Sequence, residues 1–214
     1  HAFSSNNLYK LKNEAELNAN LIFFHDRERT HGASQTTYFL PEGTKLISED
    51  LRNRGTIDQL EGELRYNINK EQLYFNNLLE LKASWEQEHG IVSAGEDLTQ
   101  QMRQRYLSAT NTSHWVRTKA DGKGGEILWR NAIATSYAPR INSGAPYAEL
   151  TQDVRHRAFL SFAELALLSA WHIGGLHISP RLFLQAQHQA LDTELGATSL
   201  TGTYQPLPSR DMHN

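Results

Sequence analysis

Residues 21–32 read LIFFHDRERTHG, and this stretch decides the predicted fold. Its first four residues, Leu21-Ile22-Phe23-Phe24, are branched and aromatic, which is typical of a short buried strand. The charged residues 25–32 follow at once, so we expect the strand to end there in a polar loop. Further signals are a strand at Thr36–Leu40, a turn at Pro41-Glu42-Gly43 and a strand at Thr44–Ile47. Together these signals predict a β layer near the N-terminus.

Four later segments show the spacing of amphipathic helices. Asn69 is placed to cap the first, Gly174-Gly175 to end the third, and Ser179-Pro180 to open the fourth. The predicted helices span residues 69–89, 93–110, 148–173 and 180–195. Residues 115–118 and 126–129 flank a glycine-rich loop and predict a β-hairpin. The expected fold class is therefore α/β or α+β, with one mainly N-terminal sheet and several amphipathic helices packed on it.

The length of 214 residues fits one domain, at about 100–200 residues per domain. Apolar residues make up 39% and charged residues 21%, which is within the range of globular proteins. We expect a single domain over residues 1–196. Residues 197–214 are polar and contain proline, and we expect a loosely ordered C-terminal tail there.

Composition excludes several classes of function. The formal net charge of −3 argues against a broad nucleic-acid surface, so a nucleic-acid partner is not expected. The absence of cysteine excludes a thiolate zinc site and a cysteine nucleophile. The apolar run 158–171 is too short for a membrane span, and residues 1–7 show no signal peptide. The oligomeric state stays open.

The densest cluster of chemically active side chains follows the first predicted strand. His25 and His31 are candidate catalytic groups for proton transfer, because imidazole titrates near neutrality. Asp26 and Glu28 complete the candidate catalytic set, because either carboxylate would orient a histidine. Arg27 and Arg29 are candidate anion-binding residues, since guanidinium groups bind phosphate or carboxylate in bidentate fashion. The alternative is a solvated loop of alternating charge. The pattern implies neither a metal nor a cofactor.

Two further groups of residues have competing interpretations. His172 and His177 flank Gly174-Gly175, but their five-residue spacing differs from the i, i+4 spacing of helical zinc ligands. The order of residues is more typical of a glycine-terminated helix. Arg155-His156-Arg157 together with Arg103 and Arg105 would bind phosphate or RNA, or form the solvated faces of two amphipathic helices.

Residues 21–25 and 39–46 together resemble one known family. An apolar strand ending in His25, followed by a strand that leads into Pro41-Glu42-Gly43-Thr44, is similar to the adhesin Stv-type domain of bacterial effector and surface proteins. In that family His-Gly follows the strand directly, whereas here Asp26 follows His25 and the pair comes later, as His31-Gly32. The resemblance implies a bacterial origin and secretion, or injection into a target cell, rather than a particular reaction.

Three classes of function remain open at this point, and whether the protein is an enzyme is left undecided. The first is a secreted or injected effector or toxin-type domain, a hydrolase or transferase that acts on a host or target-cell protein or a small anionic substrate. The second is an adhesion or protein-binding module with Tyr38, Trp115 and Trp129 as aromatic anchors. The third is a nuclease-like toxin that uses the basic residues with His156. An enzyme would place the two histidines of 25–31 in one concave pocket, and a nuclease would align the four arginines on one face.

Overall fold

The computed structural model describes residues 1–40, 43–93, 97–144, 147–168, 171–207 and 212–213. Throughout these ranges the chain forms β-strands joined by turns, without helices. The predicted α/β or α+β class is therefore wrong, because the protein is all-β and its main sheet is antiparallel. The part of the chain that the structure describes contains no helix whose length and apolar character would let it cross a membrane.

The strands are long. They are β1 (Ala2–Lys10), β2 (Ala15–Leu40), β3 (Gly43–Lys70), β4 (Leu73–Ser93), β5 (Asp97–Thr118), β6 (Gly124–Tyr137), β7 (Arg140–Gly144), β8 (Tyr147–Leu168), β9 (Trp171–Ile173), β10 (Leu176–Ile178), β11 (Arg181–Thr198), β12 (Tyr204–Leu207) and β13 (Met212–His213).

Nearly every strand pairs with its neighbour in sequence, in the order β1-β2-β3-β4-β5-β6-β8-β11-β12. β7 continues the position of β6 between β5 and β8, after an interruption at Ala138 and Pro139. The proline explains the interruption, because it has no N–H to donate to the ladder. β13 pairs with β11, and β9 and β10 form a separate hairpin.

Strand length explains why helices were predicted. β4, β5 and β8 have 21, 22 and 22 residues, whereas strands in globular proteins usually have about 3–10 residues. Long periodic segments therefore favour the helical interpretation. In β8, Phe159 and Ala163 lie on one face of the sheet and Phe162 and Ala166 on the other. Apolar residues at both parities of one long strand thus imitate the i, i+3, i+4, i+7 spacing of a helix.

Several local predictions have clear outcomes. The hairpin predicted from residues 115–118 and 126–129 is confirmed, but Gly124 and Gly125 belong to β6 rather than to the loop, with Thr118 opposite Gly124. The polar loop predicted at 25–32 is wrong, because these residues continue β2. Gly174-Gly175 forms the β9–β10 turn with φ of 53° and 85°, which suits glycine, and does not end a helix. Pro41 and Glu42 lie outside the described residues. Within the segment predicted as a tail, β12 and β13 pair with β11.

Neighbouring side chains along each strand point to opposite faces of the sheet. We call face A the side that carries the row His25, Asp58, Trp85, Arg105, Tyr137 and Arg155, which are direct partners across β2, β3, β4, β5, β6 and β8. Face B is the opposite side. Among the described residues, the buried hydrophobic ones are Ala15, Ala166, Ala190 and Ala197 alone. The sheet is therefore a single layer, with large side chains exposed on its surface.

Candidate functional site

The predicted site residues lie in the middle of β2 and alternate between the two faces. The ladder with β3 pairs every residue from Ala15 to Leu40 without a shift, so the alternation is regular. Face A carries His25, Arg27, Arg29 and His31, and face B carries Asp26 and Glu28. The two carboxylates are thus separated from the two imidazoles by the sheet itself.

Each histidine has its carboxylate partner on β3 instead. Asp58 is the direct cross-strand partner of His25, and its Oδ1 lies 2.6 Å from the His25 Nδ1. The Nε2 of His31 lies 2.7 Å from the Oδ1 of Asp50. Arg52 donates to the other oxygen of Asp50 at 2.9 Å. These contacts form two separate His–Asp pairs.

The pKa of Asp50 reflects these contacts. Desolvation of the carboxyl raises its pKa, but the hydrogen bonds and positive charges of Arg52 and His31 outweigh that effect. The pKa of Asp50 therefore lies below its ordinary value. This carboxylate accordingly stays ionised as a bridge between β2 and β3.

The two histidines do not converge on one point. Six residues of extended chain separate His25 from His31, which corresponds to about 20 Å along the strand. Arg27 and Arg29 lie between them on the same face. The four side chains form a row along β2, which suits recognition of an extended surface better than joint action on one reacting atom.

Four arginines of β2 and β3 form what we call the arginine cluster: Arg27, Arg29, Arg52 and Arg54. Arg29 is the direct cross-strand partner of Arg54. Arg52 is paired with Asp50, whereas no described carboxylate lies within ion-pair distance of the guanidinium of Arg27, Arg29 or Arg54. Like charges directly opposite one another destabilise a sheet, so a bound anion would relieve this repulsion.

Face A continues the positive charge across β5 and β8. Arg103 and Arg105 lie there on β5, and Arg155 and Arg157 on β8. The Arg155 guanidinium carbon stands 5.4 Å from the centre of the Tyr137 ring. The four arginines thus share one face, as we expected of a nuclease. His156, however, points to face B, away from them.

Three of these residues are paired with carboxylates. The Arg155 guanidinium lies 3.8 Å from Asp153. Arg157 donates to Asp192 at 2.8 Å. The Tyr137 hydroxyl donates to Asp153 at 3.0 Å. The hydrogen bond to Asp153 raises the pKa of Tyr137, with help from desolvation and the Asp153 charge, and against the smaller lowering effect of Arg155.

Face B carries the opposite charge over the same strands. A hollow on this side is lined by Asp26, Glu28, Thr30, Asn53, Gly55, Ile57, Glu86 and Glu88. Glu88 accepts a hydrogen bond from Asn53. In the described ranges, no group of three or more histidine, aspartate or glutamate side chains has the geometry to hold a metal ion. Over β2–β4 acidic side chains thus predominate on face B, whereas the arginine cluster lies on face A together with Asp50 and Asp58.

Beside Arg105 and Arg157, face A carries a run of apolar side chains, which we call the apolar band; all are exposed except Leu60 and Leu79, which are half-buried. The band consists of Leu60, Leu64, Leu79, Leu81, Leu107, Ile133 and Phe159. Leu107 is 53% exposed and Ile133 55% exposed. Contiguous exposed apolar side chains of this kind mark contact surfaces.

Polar side chains near the apolar band form hydrogen bonds with one another. The Asn77 amide donates to the Ser113 hydroxyl at 2.8 Å, and the Ser161 hydroxyl donates to Asn131 at 2.8 Å. These cross-strand bonds lower the cost of covering the face with an apolar phase, because buried polar groups are costly only when they lack a partner.

The sequence interpretation missed the residues that β3 contributes, namely Asp50, Arg52, Arg54 and Asp58. It treated residues 25–32 as a loop, and a loop has no cross-strand partners. The strict alternation of basic and acidic residues from His25 to Glu28 was the available signal, because a period of two is typical of a strand.

Comparisons with known proteins give no family for this chain. No family model matches it, and no curated protein matches it.

Proposed function

We propose that this protein is a binding module that docks through face A on an anionic lipid surface. The observation that carries the proposal is that arginines and the apolar band share one exposed face. Arg105 and Arg157 lie directly beside Leu107 and Phe159 of the band, and the arginine cluster lies farther along the same face on β2 and β3. Apolar side chains that enter a lipid interface and basic side chains that meet anionic headgroups are the two components of peripheral lipid binding. The proposal retains the secreted or injected location that the adhesin Stv-type resemblance implies, and it requires no membrane span.

Two other occupants of face A are less well supported. A nucleic acid would engage the arginines, but its phosphate backbone offers nothing to exposed residues such as Leu107 and Ile133. A second copy of the same chain, packed face to face, would bring many arginines towards one another, and like charges across an interface oppose association.

The histidine geometry favours binding over catalysis. His25 and His31 are each held by an aspartate of β3 and stand about 20 Å apart along an extended strand. A proton-transfer site would bring such groups within hydrogen-bond reach of one substrate atom. The two histidines instead form separate cross-strand contacts that link β2 to β3.

Vesicle binding tests the proposal. We expect the protein to bind phosphatidylcholine vesicles that contain phosphatidylglycerol, and to bind pure phosphatidylcholine vesicles much more weakly. The double variant Arg27→Gln with Arg29→Gln removes about 2 kcal/mol of surface attraction, which is about thirtyfold in the partition coefficient. The matched control is Arg65→Gln with Arg130→Gln, because both of these arginines lie on face B.

Three outcomes would overturn the proposal. These are equal binding to both kinds of vesicle, an equal loss of binding in the face B control, and binding to duplex DNA without binding to vesicles. Co-sedimentation measures the partition coefficient. Sedimentation velocity without lipid detects self-association through the apolar band.

A further inference from the structure

A groove opens on face A at the end of the strands remote from the arginine cluster. Its volume is about 1020 Å³, at the upper end of the range of about 300–1,000 Å³ for small-molecule sites. On β5, Gln101 lies in the same row as Arg29 and Arg54, and Arg117 at the groove lies sixteen positions farther along the strand, which corresponds to about 53 Å. The groove is therefore a different site from the arginine cluster.

The floor of the groove is apolar. Trp115, Ile127, Leu165 and Leu182 are direct cross-strand neighbours on four successive strands of the sheet, and Leu167 lies beside them. Three strand spacings give this row a length of about 14 Å. An extended hydrocarbon chain can lie along such a row and bury its methylene groups.

The groove exists because one position on face A lacks a side chain. Gly125 lies between Arg117 of β5 and Leu167 of β8 in the next row. The nearest atom to a Cβ at Gly125 would be the Ala166 carbonyl oxygen at 3.8 Å, an ordinary van der Waals contact. A larger side chain at this position would project into the groove, between its apolar floor and its basic rim, without backbone strain.

The rim of the groove is basic. Arg117, Lys119 and Lys123 line it, and the structure records no ion pair between any of them and a described carboxylate. The one acidic group of the turn, Asp121, accepts the backbone N–H of Lys123 at 3.1 Å. Glu126 and Arg181 also line the groove, but each has a partner of its own, His114 at 2.7 Å and Glu164 at 2.8 Å. Arg117, Lys119 and Lys123 against Asp121 leave the rim positive, which complements an anionic group at the end of an apolar chain.

We infer that this groove binds a single-chain anionic amphiphile, with its hydrocarbon chain on the Trp115–Leu182 row and its carboxylate or phosphate among Arg117, Lys119 and Lys123. Every ligand of this class has one apolar chain with one anionic end. A fatty acid and an alkyl phosphate both satisfy this description, and they form separate arms of the test.

Calorimetric titration with dodecanoate, dodecyl phosphate and dodecanol tests the inference. We expect at least one of the two anionic probes to bind, to bind more tightly than dodecanol, and to weaken about fourfold for each methylene removed from its chain. Gly125→Leu should abolish binding. The matched control is Gly62→Leu, which adds the same side chain on face A of β3, away from the groove.

A second variant keeps the test valid if Gly125→Leu fails to fold. Arg117→Glu with Lys119→Glu changes exposed residues only, and should weaken an anionic probe at least tenfold while it leaves dodecanol unchanged. No binding of either anionic probe, equal affinity for dodecanol, or wild-type affinity in Gly125→Leu would overturn the inference. Because the vesicle test depends on Arg27 and Arg29, either proposal can fail without the other.

Discussion

Arg29 and Arg54 face each other directly across the β2–β3 ladder, without a described carboxylate partner for either guanidinium. Directly opposed like charges cost a sheet about 0.2–1 kcal/mol. We therefore expect Arg29→Gln to raise the free energy of unfolding by this amount at low salt, and the gain to shrink as salt screens the repulsion. Urea unfolding at two ionic strengths measures the change.

The control for this change is Arg65→Gln, because Arg65 is paired with Glu63 at 3.3 Å. Loss of an exposed ion pair should leave stability unchanged or slightly lower. If Arg29→Gln destabilises the protein at low salt, the two guanidinium groups are not in repulsive contact.

The second prediction concerns Asp50 in acid. Because its pKa is lowered in the folded protein, its ionised form contributes stability above the pKa of the unfolded chain. This contribution should be lost as pH falls through the lower, folded pKa. Asp50→Asn should therefore show a flatter loss of stability below about pH 4 than the wild type. Urea unfolding midpoints across that pH range give the comparison.

Removing the two side chains that contact the Asp50 carboxylate should change its pKa. With Arg52→Gln and His31→Gln combined, the pKa of Asp50 should rise, because the two hydrogen bonds that lower it are gone. Identical pH slopes in the wild type and Asp50→Asn would show that the contacts of Asp50 do not link β2 to β3 in solution.

The sequence predicted local features better than the global fold. The hairpin at 119–123 could be recognised because Asp121-Gly122 and Gly124-Gly125 are strong turn signals between two apolar runs. Segments such as 148–168 were misassigned because their apolar residues occupy both faces of a very long strand. Neither length nor periodicity separates that arrangement from a helix.

The sequence identified only part of the candidate site, because the rest depends on pairing between distant segments. Arg27 and Arg29 were identified by local density of charge. Arg54 and Asp58 lie about thirty residues away in sequence, and only the register of β2 on β3 brings them together. The register depends on how two strands pair, so it cannot be predicted from the residues of one strand alone.

Tyr137 provides a spectroscopic test of face A. Its hydrogen bond to Asp153 raises its pKa, so the tyrosinate absorbance of this residue should appear at higher pH than that of an ordinary tyrosine. Comparison with Tyr137→Phe isolates its titration. Asp153→Asn should lower the pKa of Tyr137, and Arg155→Gln should raise it further, because Arg155 acts in the opposite direction.

This raised pKa also predicts a direction for stability in alkali. The neutral phenol is favoured in the folded state, so its contribution is present below the pKa of the unfolded chain and is lost as pH rises through the folded pKa. Tyr137→Phe should lose less stability than the wild type above about pH 10. A Tyr137 that titrates at or below the ordinary tyrosine value would contradict the contact with Asp153.

Substitution of an exposed apolar residue should change the free energy of unfolding much less than substitution of a buried one. Ile133 is 55% exposed on face A, and Ile133→Thr retains the β-branched shape that strands prefer. Its free energy of unfolding without lipid should change by no more than about 0.5 kcal/mol, as for most surface substitutions. Ala166 is 3% exposed, and Ala166→Leu should cost about 1–3 kcal/mol through overpacking.

On vesicle binding the same two variants should rank in the reverse order, with the larger effect in Ile133→Thr. Ile133→Thr removes apolar surface from the band and should weaken vesicle binding about tenfold, since burying such a side chain contributes about 1.5–3 kcal/mol. Ala166→Leu lies on face B and should bind vesicles like the wild type under conditions in which it stays folded. If Ile133→Thr destabilises the free protein as much as Ala166→Leu does, face A is covered by protein rather than open to lipid.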